Sequence, residues 1–311
     1  MNRLRDSRLL EVLICLITLI YLSSSIVESA PKEPNVTFAI MSDIHIHKHN
    51  RAVHRRFMQA LEDYHHIHPT MDFMVINGDL TNGFPSHYDV LRRLLHSVPH
   101  PPIYFTPGNH DFYKMLYNKE GKLDFKNVPN GWSSEQAMEL FKDFTGYDKP
   151  YHDTWVNGYH FIFLAPEKSR DFDLSIGKNG YISEAQLNWL NEKLNERTVD
   201  AEKPKFVFFH QPLPNTVSGS QYDVNIVQHR KLRRILDQHP EVIFFSGHTH
   251  YNLRTTEQQH VDTFLMLGSS SVMRHGESLY VEVYDDYVDI HSRDHLRGEW
   301  IADKFLRYRP S

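Results

Sequence analysis

From residue 36 onward the chain alternates between short apolar runs and longer segments whose apolar residues recur every three or four positions. The runs VTFAIMSD (36–43), DFMVINGD (72–79), PIYFTPGN (102–109) and YHFIFLAP (159–166) read as buried strands. KFVFFHQP (205–212), EVIFFSGH (241–248) and DTFLMLGS (262–269) read the same way. LYVEVYDDYVDIHSRD (279–294) reads as a hairpin turning near Asp285 and Asp286. Helical spacing places Phe57, Leu61 and Tyr64 on one face within 52–66, and Leu91, Leu94 and Leu95 within 86–97. Two more helices open on capping boxes, Ser133 with Gln136 and Ser183 with Gln186. Strands alternating with helices predict an α/β fold of βαβ units, a largely parallel sheet and an antiparallel tail. Residues 112–150, rich in Lys, Asn, Gly and aromatics, read as an insertion after the third strand. No repeat or long linker divides residues 31–311, which are expected to form one domain.

The first thirty residues follow a different pattern. Arg3, Arg5 and Arg8 precede a predominantly apolar stretch, Val12 to Leu22, followed by small and polar residues. That order predicts a secretory signal peptide over 1–30. The apolar stretch is shorter than the roughly 20 residues of a membrane-spanning helix. Its apolar character continues weakly to Val27 with no clean cleavage site, so an uncleaved signal anchor over residues 9–27 is the alternative. The expected location is therefore secreted or extracytoplasmic, free or membrane-anchored.

Composition narrows the remaining classes. Hydrophobic residues at 40% and aromatics at 13% belong to an ordinary folded chain, not a disordered one. The formal charge of −5, with short and scattered basic runs, gives no support to a nucleic-acid scaffold. The one cysteine, Cys15, lies in the N-terminal apolar stretch. Residues 31–311 thus have no disulfide, thiolate nucleophile or zinc–thiolate site.

The chemistry lies where the apolar runs end. In FAIMSDIHIHKHN (38–50), side-chain alternation along a strand would point Asp43, His45 and His47 to one face. An Asp-x-His pair, Asp43 with His45, suits a two-metal hydrolase; a His-x-His pair, His45 with His47, suits an amidohydrolase barrel. With 22 histidines in 311 residues, chance clustering is a third reading. Other run ends add candidates: Asp79 in NGDL, Asn109, His110 and Asp111 in GNHD, His210 in FFHQP, and His248 and His250 in GHTH. Each piece alone reads as a turn or a surface histidine. Together they put oxygen and imidazole donors at the carboxyl ends of strands, where open α/β sheets bind ligands. Gly78, Gly108 and Gly247 are expected to turn the chain sharply at these ends.

The order D-x-H, G-D, G-N-H-D, a lone H and G-H-x-H resembles the calcineurin-like metallophosphoesterases over roughly residues 36–294. Within them it is most similar to the cyclic-nucleotide phosphodiesterase-like and purple acid phosphatase-like branch. The resemblance implies a four-layer α/β/β/α sandwich of two mixed sheets. It also implies two divalent metal ions (Mn, Fe or Zn), one held by Asp43, His45 and His250, the other by Asn109, His210 and His248, with Asp79 bridging. His110 would lie near the phosphate, oriented by Asp111. His47 and His49 fall outside this set and read as loop residues beside the cleft.

The implied activity is hydrolysis of a phosphate monoester or diester, by in-line attack of a hydroxide shared by the two ions, with His110 assisting the leaving group. Where purple acid phosphatases carry an iron-binding tyrosine, three residues after the bridging aspartate, this chain has Asn82. An iron–tyrosinate centre is therefore not expected. The expected partner is a small phosphorylated substrate, a nucleotide among the candidates, shaped by residues 112–150, 167–180 and 213–225. Of the insertion's aromatics, Phe112, Tyr113, Tyr117 and Trp132, packing is favoured over stacking on a nucleobase. The competing reading is a non-catalytic protein-binding scaffold on the same fold. The complete ligand set weighs against it, although fold alone does not establish catalysis.

Overall fold

The computed structural model describes residues 32–125, 127–128, 130–196 and 203–310. The segment expected to be a signal or anchor lies outside them. Among the described residues no helix is long and apolar enough to cross a membrane. Residues 35–311 cluster into a unit of their own, which holds the strands and helices of the described residues.

The apolar runs form strands because they can be buried on both faces. In β1 (Val36–Met41), Val36, Phe38 and Ile40 enter one core while Ala39 and Met41 enter another. β2 (Phe73–Asn77) divides the same way, with Phe73 and Val75 on one side and Met74 and Ile76 on the other. This period of two places two layers of packing against each strand, so the runs read as continuously hydrophobic.

The remaining strands are β3 (Ile103–Thr106), β4 (His152–Val156), β5 (Tyr159–Phe163), β6 (Lys205–Phe208) and β7 (Val242–Ser246), followed by β8 (Gln259–Val261) and β9 (Leu265–Gly268). Near the C-terminus come β10 (Glu277–Val283), β11 (Val288–Asp294), β12 (Glu299–Trp300) and β13 (Leu306–Tyr308). One sheet has the order β12-β11-β10-β1-β2-β3, with β13 also paired to β11. Its β1, β2 and β3 are parallel, whereas β10 runs antiparallel to β1 and to β11. The second sheet has the order β4-β5-β6-β7-β9-β8, parallel from β5 to β9 with antiparallel edges. Both sheets are therefore mixed.

Helices cover the outer faces. On the first sheet lie α1 (Arg51–Ile67), α2 (Pro85–Ser97) and α3 (Ser134–Thr145), which bury Phe57, Leu61, Leu91 and Phe141. On the second lie α4 (Glu184–Leu194) and α5 (His229–Leu236), burying Leu187, Leu190, Leu232 and Leu236. A short α6 (Val272–His275) packs Val272 beside α1. The result is the four-layer α/β/β/α sandwich.

The capping boxes behave differently. Ser133 and Gln136 cap α3 reciprocally. At α4, Ser183 Oγ accepts from the Gln186 amide, but the Gln186 side chain turns away to the Ala165 backbone and Glu167. The Ser183 N–H donates instead to Glu167 Oε2 at 2.7 Å. The supposed insertion belongs to the helical layer of the first sheet: Phe112, Ala137, Met138 and Phe141 are buried there, and Lys114 Nζ sits 3.2 Å above the Trp132 ring.

Between the sheets phenylalanine rings cluster among aliphatic side chains. Phe38 stacks on Phe73 at 5.0 Å and meets Phe161 and Phe206 edge-on at 5.4 and 5.3 Å. Within the second sheet Phe161 stacks on Phe206 and Phe163 on Phe208, and Phe38 and Phe73 of the first sheet meet these rings edge-on. Phe38→Ala should cost about 3–5 kcal/mol through lost burial and the cavity left behind. Urea denaturation should show a correspondingly lower midpoint with an unchanged m-value.

Candidate metal centre

Seven donor side chains converge where the parallel strands of both sheets end. Asp43, His45, Asp79 and Asn109 follow β1, β2 and β3 of the first sheet; His210, His248 and His250 follow β6 and β7 of the second. Asp43, His45, Asp79 and His250 place one donor atom each within 4.8 Å of one another, and so do Asp79, His210 and His248. Asp79 belongs to both groups.

The backbone that delivers them is not strand. β1 ends at Met41, and Asp43 and His45 lie beyond it with φ of 54° and 43°. Strand alternation is therefore not what sends Asp43 and His45 to one place. Asp79, His248 and His250 are left-handed too, at 53°, 69° and 58°. Asp and His visit this region more readily than most residues, yet each such turn costs on the order of 1–3 kcal/mol. Fixed hydrogen bonds offset the cost: Asp43 N–H donates to Gly78 O at 3.1 Å, His45 N–H to Asp79 O at 2.9 Å, and His248 N–H to Asp43 Oδ2 at 3.0 Å. Of the three glycines expected to turn sharply, only Gly78 has a positive φ, 84°, and a Cβ there would lie 2.2 Å from His210 Nδ1. Gly108 is required for another reason: a Cβ would lie 2.2 Å from Asp79 Oδ1. Gly247 resembles Gly108, closing on Ser42 and Asp43.

Each carboxylate divides its two oxygens. Asp43 Oδ2 accepts from Ser42 Oγ at 2.6 Å and from the His248 amide, while Oδ1 faces His250 Nε2 at 2.7 Å. Asp79 Oδ1 accepts from the His110 amide at 2.7 Å. Its Oδ2 faces inward, 3.2 Å from His210 Nε2 and 3.6 Å from His45 Nε2. One oxygen thus lies between the two groups. His210 Nδ1–H donates to Asn77 O at 2.8 Å, directing Nε2 into the cluster. That Nε2 lacks hydrogen-bond geometry to any partner, and Asn109 Oδ1 is likewise buried and unpartnered.

The charge balance also calls for cations. Asp43 and Asp79 are 0% and 1% exposed, and among the described residues no Lys or Arg pairs with either. Two other carboxylate–histidine groups are neutralised by the protein itself: Lys193 lies 3.2 Å from Asp153, and Arg307 grips Asp289. Burial opposes ionisation of Asp43 and Asp79, but the surrounding histidines hold both well below the usual carboxylate range. Burial also lowers His210, yet the two aspartates override it and push it up to about 9. His248 goes the other way, to about 3, through burial and the His210 charge. In the absence of metal a proton at His210 Nε2 would offset part of the carboxylate charge, and ligation through that nitrogen would displace it. Buried ligand atoms without a partner, carboxylates with no Lys or Arg beside them among the described residues and an oxygen–imidazole set fit divalent metal ions.

His110 and Asp111 occupy unexpected roles. His110 Nδ1 lies 3.1 Å from Asn82 Oδ1, and Asn82 Nδ2 donates to Tyr117 OH at 3.0 Å. The ring stacks on Tyr113 at 3.9 Å and meets His45 edge-on at 4.4 Å. Burial lowers His110 to about 4. Asp111 does not orient this ring, contrary to expectation. Its carboxylate accepts from the Leu80, Thr81 and Gly108 amides, from Thr81 Oγ1 and from Tyr88 OH, at 2.8 to 3.2 Å. Only an acceptor can satisfy so many donors, so Asp111 fastens the loop after β2 to the loop after β3. Asn82, singled out in the sequence only as a replaced tyrosine, is the group that holds His110.

His47 stands apart from the seven. It packs against His87 at 4.3 Å and accepts from the His49 amide through Nδ1. The cleft above the cluster measures about 280 Å³, and neither His47 nor His49 lines it. Its walls include Tyr113, Lys178, Tyr222 and Tyr251. The other insertion aromatics pack, with Phe112 buried and Tyr117 bonded to Asn82.

A family model described as calcineurin-like phosphoesterase matches residues 36–252. The mouse serine/threonine-protein phosphatase CPPED1 is 24% identical over 210 residues, which cover 64% of this chain and 60% of the mouse protein. The zebrafish protein of that name is 24% identical over 204 residues, covering 62% and 59%. The chain therefore spans about 60% of the length of these relatives. Among solved structures, a dimetal phosphatase from Danio rerio aligns with a TM-score of 0.59 at 15% identity, covering 90% of this chain and all of that one. A purple acid phosphatase from yellow lupin aligns at 0.58 with 12% identity, covering 89% and 55%. At these identities the structures speak for the fold.

The geometry is open to two tests. Asp79→Asn and His250→Ala should each lose most bound metal by elemental analysis, while His47→Ala should retain it; equal loss in His47→Ala would contradict the ligand set. Asp111→Asn sets an amide NH₂ against backbone donors and should lower stability by at least about 2 kcal/mol in urea titration.

Proposed function

Because the chain belongs to the calcineurin-like phosphoesterase family, we propose that it is a metal-dependent hydrolase of phosphate esters working through a dinuclear centre. The observation that carries this reading is Asp79 Oδ2, set between two donor groups in a cluster whose buried carboxylates have no Lys or Arg partner among the described residues. Asp43, His45 and His250 would hold one ion, Asn109, His210 and His248 the other, and Asp79 both. When bound, such a pair supplies a water deprotonated at neutral pH and positive charge facing the phosphoryl oxygens.

The chain's own groups do the rest. The Asn77 carbonyl fixes which His210 nitrogen faces the centre, and Tyr113 OH, accepting from Asn109 Nδ2 at 3.1 Å, turns Asn109 Oδ1 toward it. His110, half-buried at the cleft, is the candidate proton donor to the leaving oxygen. Asn82 Oδ1 accepts from its Nδ1–H, so the acidic form presents a second N–H at Nε2. Burial disfavours that form, and a bound phosphate dianion beside the ring favours it. No covalent intermediate is needed. The substrate is a phosphate monoester or diester, a nucleotide among the candidates. Export of the domain belongs to the same proposal, supported by the arginine–apolar–small order of residues 1–30.

Metal content and turnover of p-nitrophenyl phosphate and its diester separate an enzyme from a scaffold: a metal-replete protein inert toward both would overturn the proposal. A proton donor matters most when the leaving group is poor. His110→Ala should therefore slow an alkyl ester by about 10²-fold or more, and a p-nitrophenyl ester far less, with metal content near normal. Asn82→Ala should move in the same direction by a smaller factor. Equal slowing on both esters would mean that His110 only positions Asn109.

A further inference from the structure

The cleft has aromatic walls that the phosphoryl chemistry does not use. Tyr222, in a short 3₁₀ turn (Ser220–Tyr222), is 73% exposed, the most of any large apolar or aromatic side chain among those described. Exposure alone would mean little. Tyr222, however, does not stand alone. It lines the cleft together with Tyr251, which comes from a different loop and directly follows His250. The Tyr251 ring lies against the backbone of Gly219, φ 91°, so closely that a Cβ there would sit 2.6 Å from it.

The loop under Tyr222 is tied down as well. Asn225 is 2% exposed, and its Nδ2 donates to Ser220 O at 2.7 Å and Asp223 O at 3.1 Å. Gly180 N–H donates to Asn225 O, and Val227 N–H donates to Gly180 O, at 2.7 and 2.9 Å. Lys178 Nζ lies 3.8 Å from Asp223. Residues 178–180 and 219–227 thus form one wall. Among the described residues Lys178 is the one Lys or Arg lining this cleft, and the buried Thr249 Oγ1 beside it has no partner.

Two tyrosine side chains on anchored loops, exposed to solvent and adjoining the polar floor of the cleft, suit a flat ring better than an alkyl chain. Rigid tyrosines offer contact area at little entropic cost, and offset stacking rewards a planar partner. Resting on the phosphoesterase reading above, we propose that Tyr222 and Tyr251 form a recognition platform for phosphate esters whose organic side carries a planar aromatic ring. That ring is either a nucleobase one sugar away from the phosphate or an aryl group attached directly.

Competitive inhibition tests this with the metal-replete full chain, against whichever p-nitrophenyl ester it turns over. Adenosine 5′-monophosphate is compared with ribose 5-phosphate, and phenylphosphonate with methylphosphonate. Each pair shares its phosphorus group and differs in the ring. The aromatic member of at least one pair should bind about tenfold tighter, the usual scale of a stacked base. The first pair alone indicates a nucleotide, and the second alone a directly attached aryl group. Tyr222→Ala and Tyr222→Leu should reduce the preference to under about threefold, whereas Tyr222→Phe should keep most of it. Lys178→Gln should weaken both members of a pair alike. Equal binding within both pairs, or a preference that survives both Tyr222→Ala and Tyr251→Ala, would overturn the platform. Loss of all turnover in the unmodified, metal-replete protein would instead refute the phosphoesterase reading on which it rests.

Discussion

The site depends on holding the ends of two separate sheets together, and Asn77 does this. It closes β2 in the first sheet and is fully buried. Its Nδ2 reaches the carbonyls of Phe209 and Phe245, just past β6 and at the end of β7 in the second sheet, at 3.4 and 3.2 Å. Its Oδ1 accepts from Thr106 Oγ1, and its own carbonyl accepts from Ser42 Oγ and His210 Nδ1. Apolar packing between the sheets is non-directional and sets their separation without fixing their registry. Directional bonds in a dry interior can fix it, because leaving such groups unmade is costly. Donors from both sheets must meet within a few ångströms, so this polar staple sits at the floor of the centre.

A second constraint is electrostatic. Two buried carboxylates sharing one cluster with no Lys or Arg beside them among the described residues would normally neutralise themselves by taking up protons. Here the histidines carry that compensation, and the cluster resembles a folded arrangement awaiting positive charge. Stability is given up locally to achieve it, in five left-handed non-glycine residues and in buried donors with no partner. Asp111 lies behind this region, tying the loops after β2 and β3 into one piece. The strain sits at the centre, and the bonds that sustain it lie one layer outward.

What the sequence determined by itself is local. Strand runs buried on both faces, helices with a single apolar face and capping boxes depend on neighbours within a few residues, so β1 to β3, β5 to β7, β9 to β11 and helices α1 to α4 were readable. The seven proposed donors stood out because their residue types are rare together and fall where apolar runs stop. Elements with weak local signals were not. β4 is only partly buried, β8, β12 and β13 are two or three residues long, and α5 carries five basic or histidine residues in HRKLRRIL. Tertiary structure alone decided which group holds which. Asn82 rather than Asp111 positions His110, because the loops bring the Asn82 amide to the ring and surround the Asp111 carboxylate with backbone N–H groups. Likewise Tyr222 and Tyr251, 29 positions apart, meet only once Gly219 and Asn225 have folded their loops. Hydrogen bonds of this kind have no periodicity along the chain. They are set by distances between elements, and those distances exist only after the two sheets have packed.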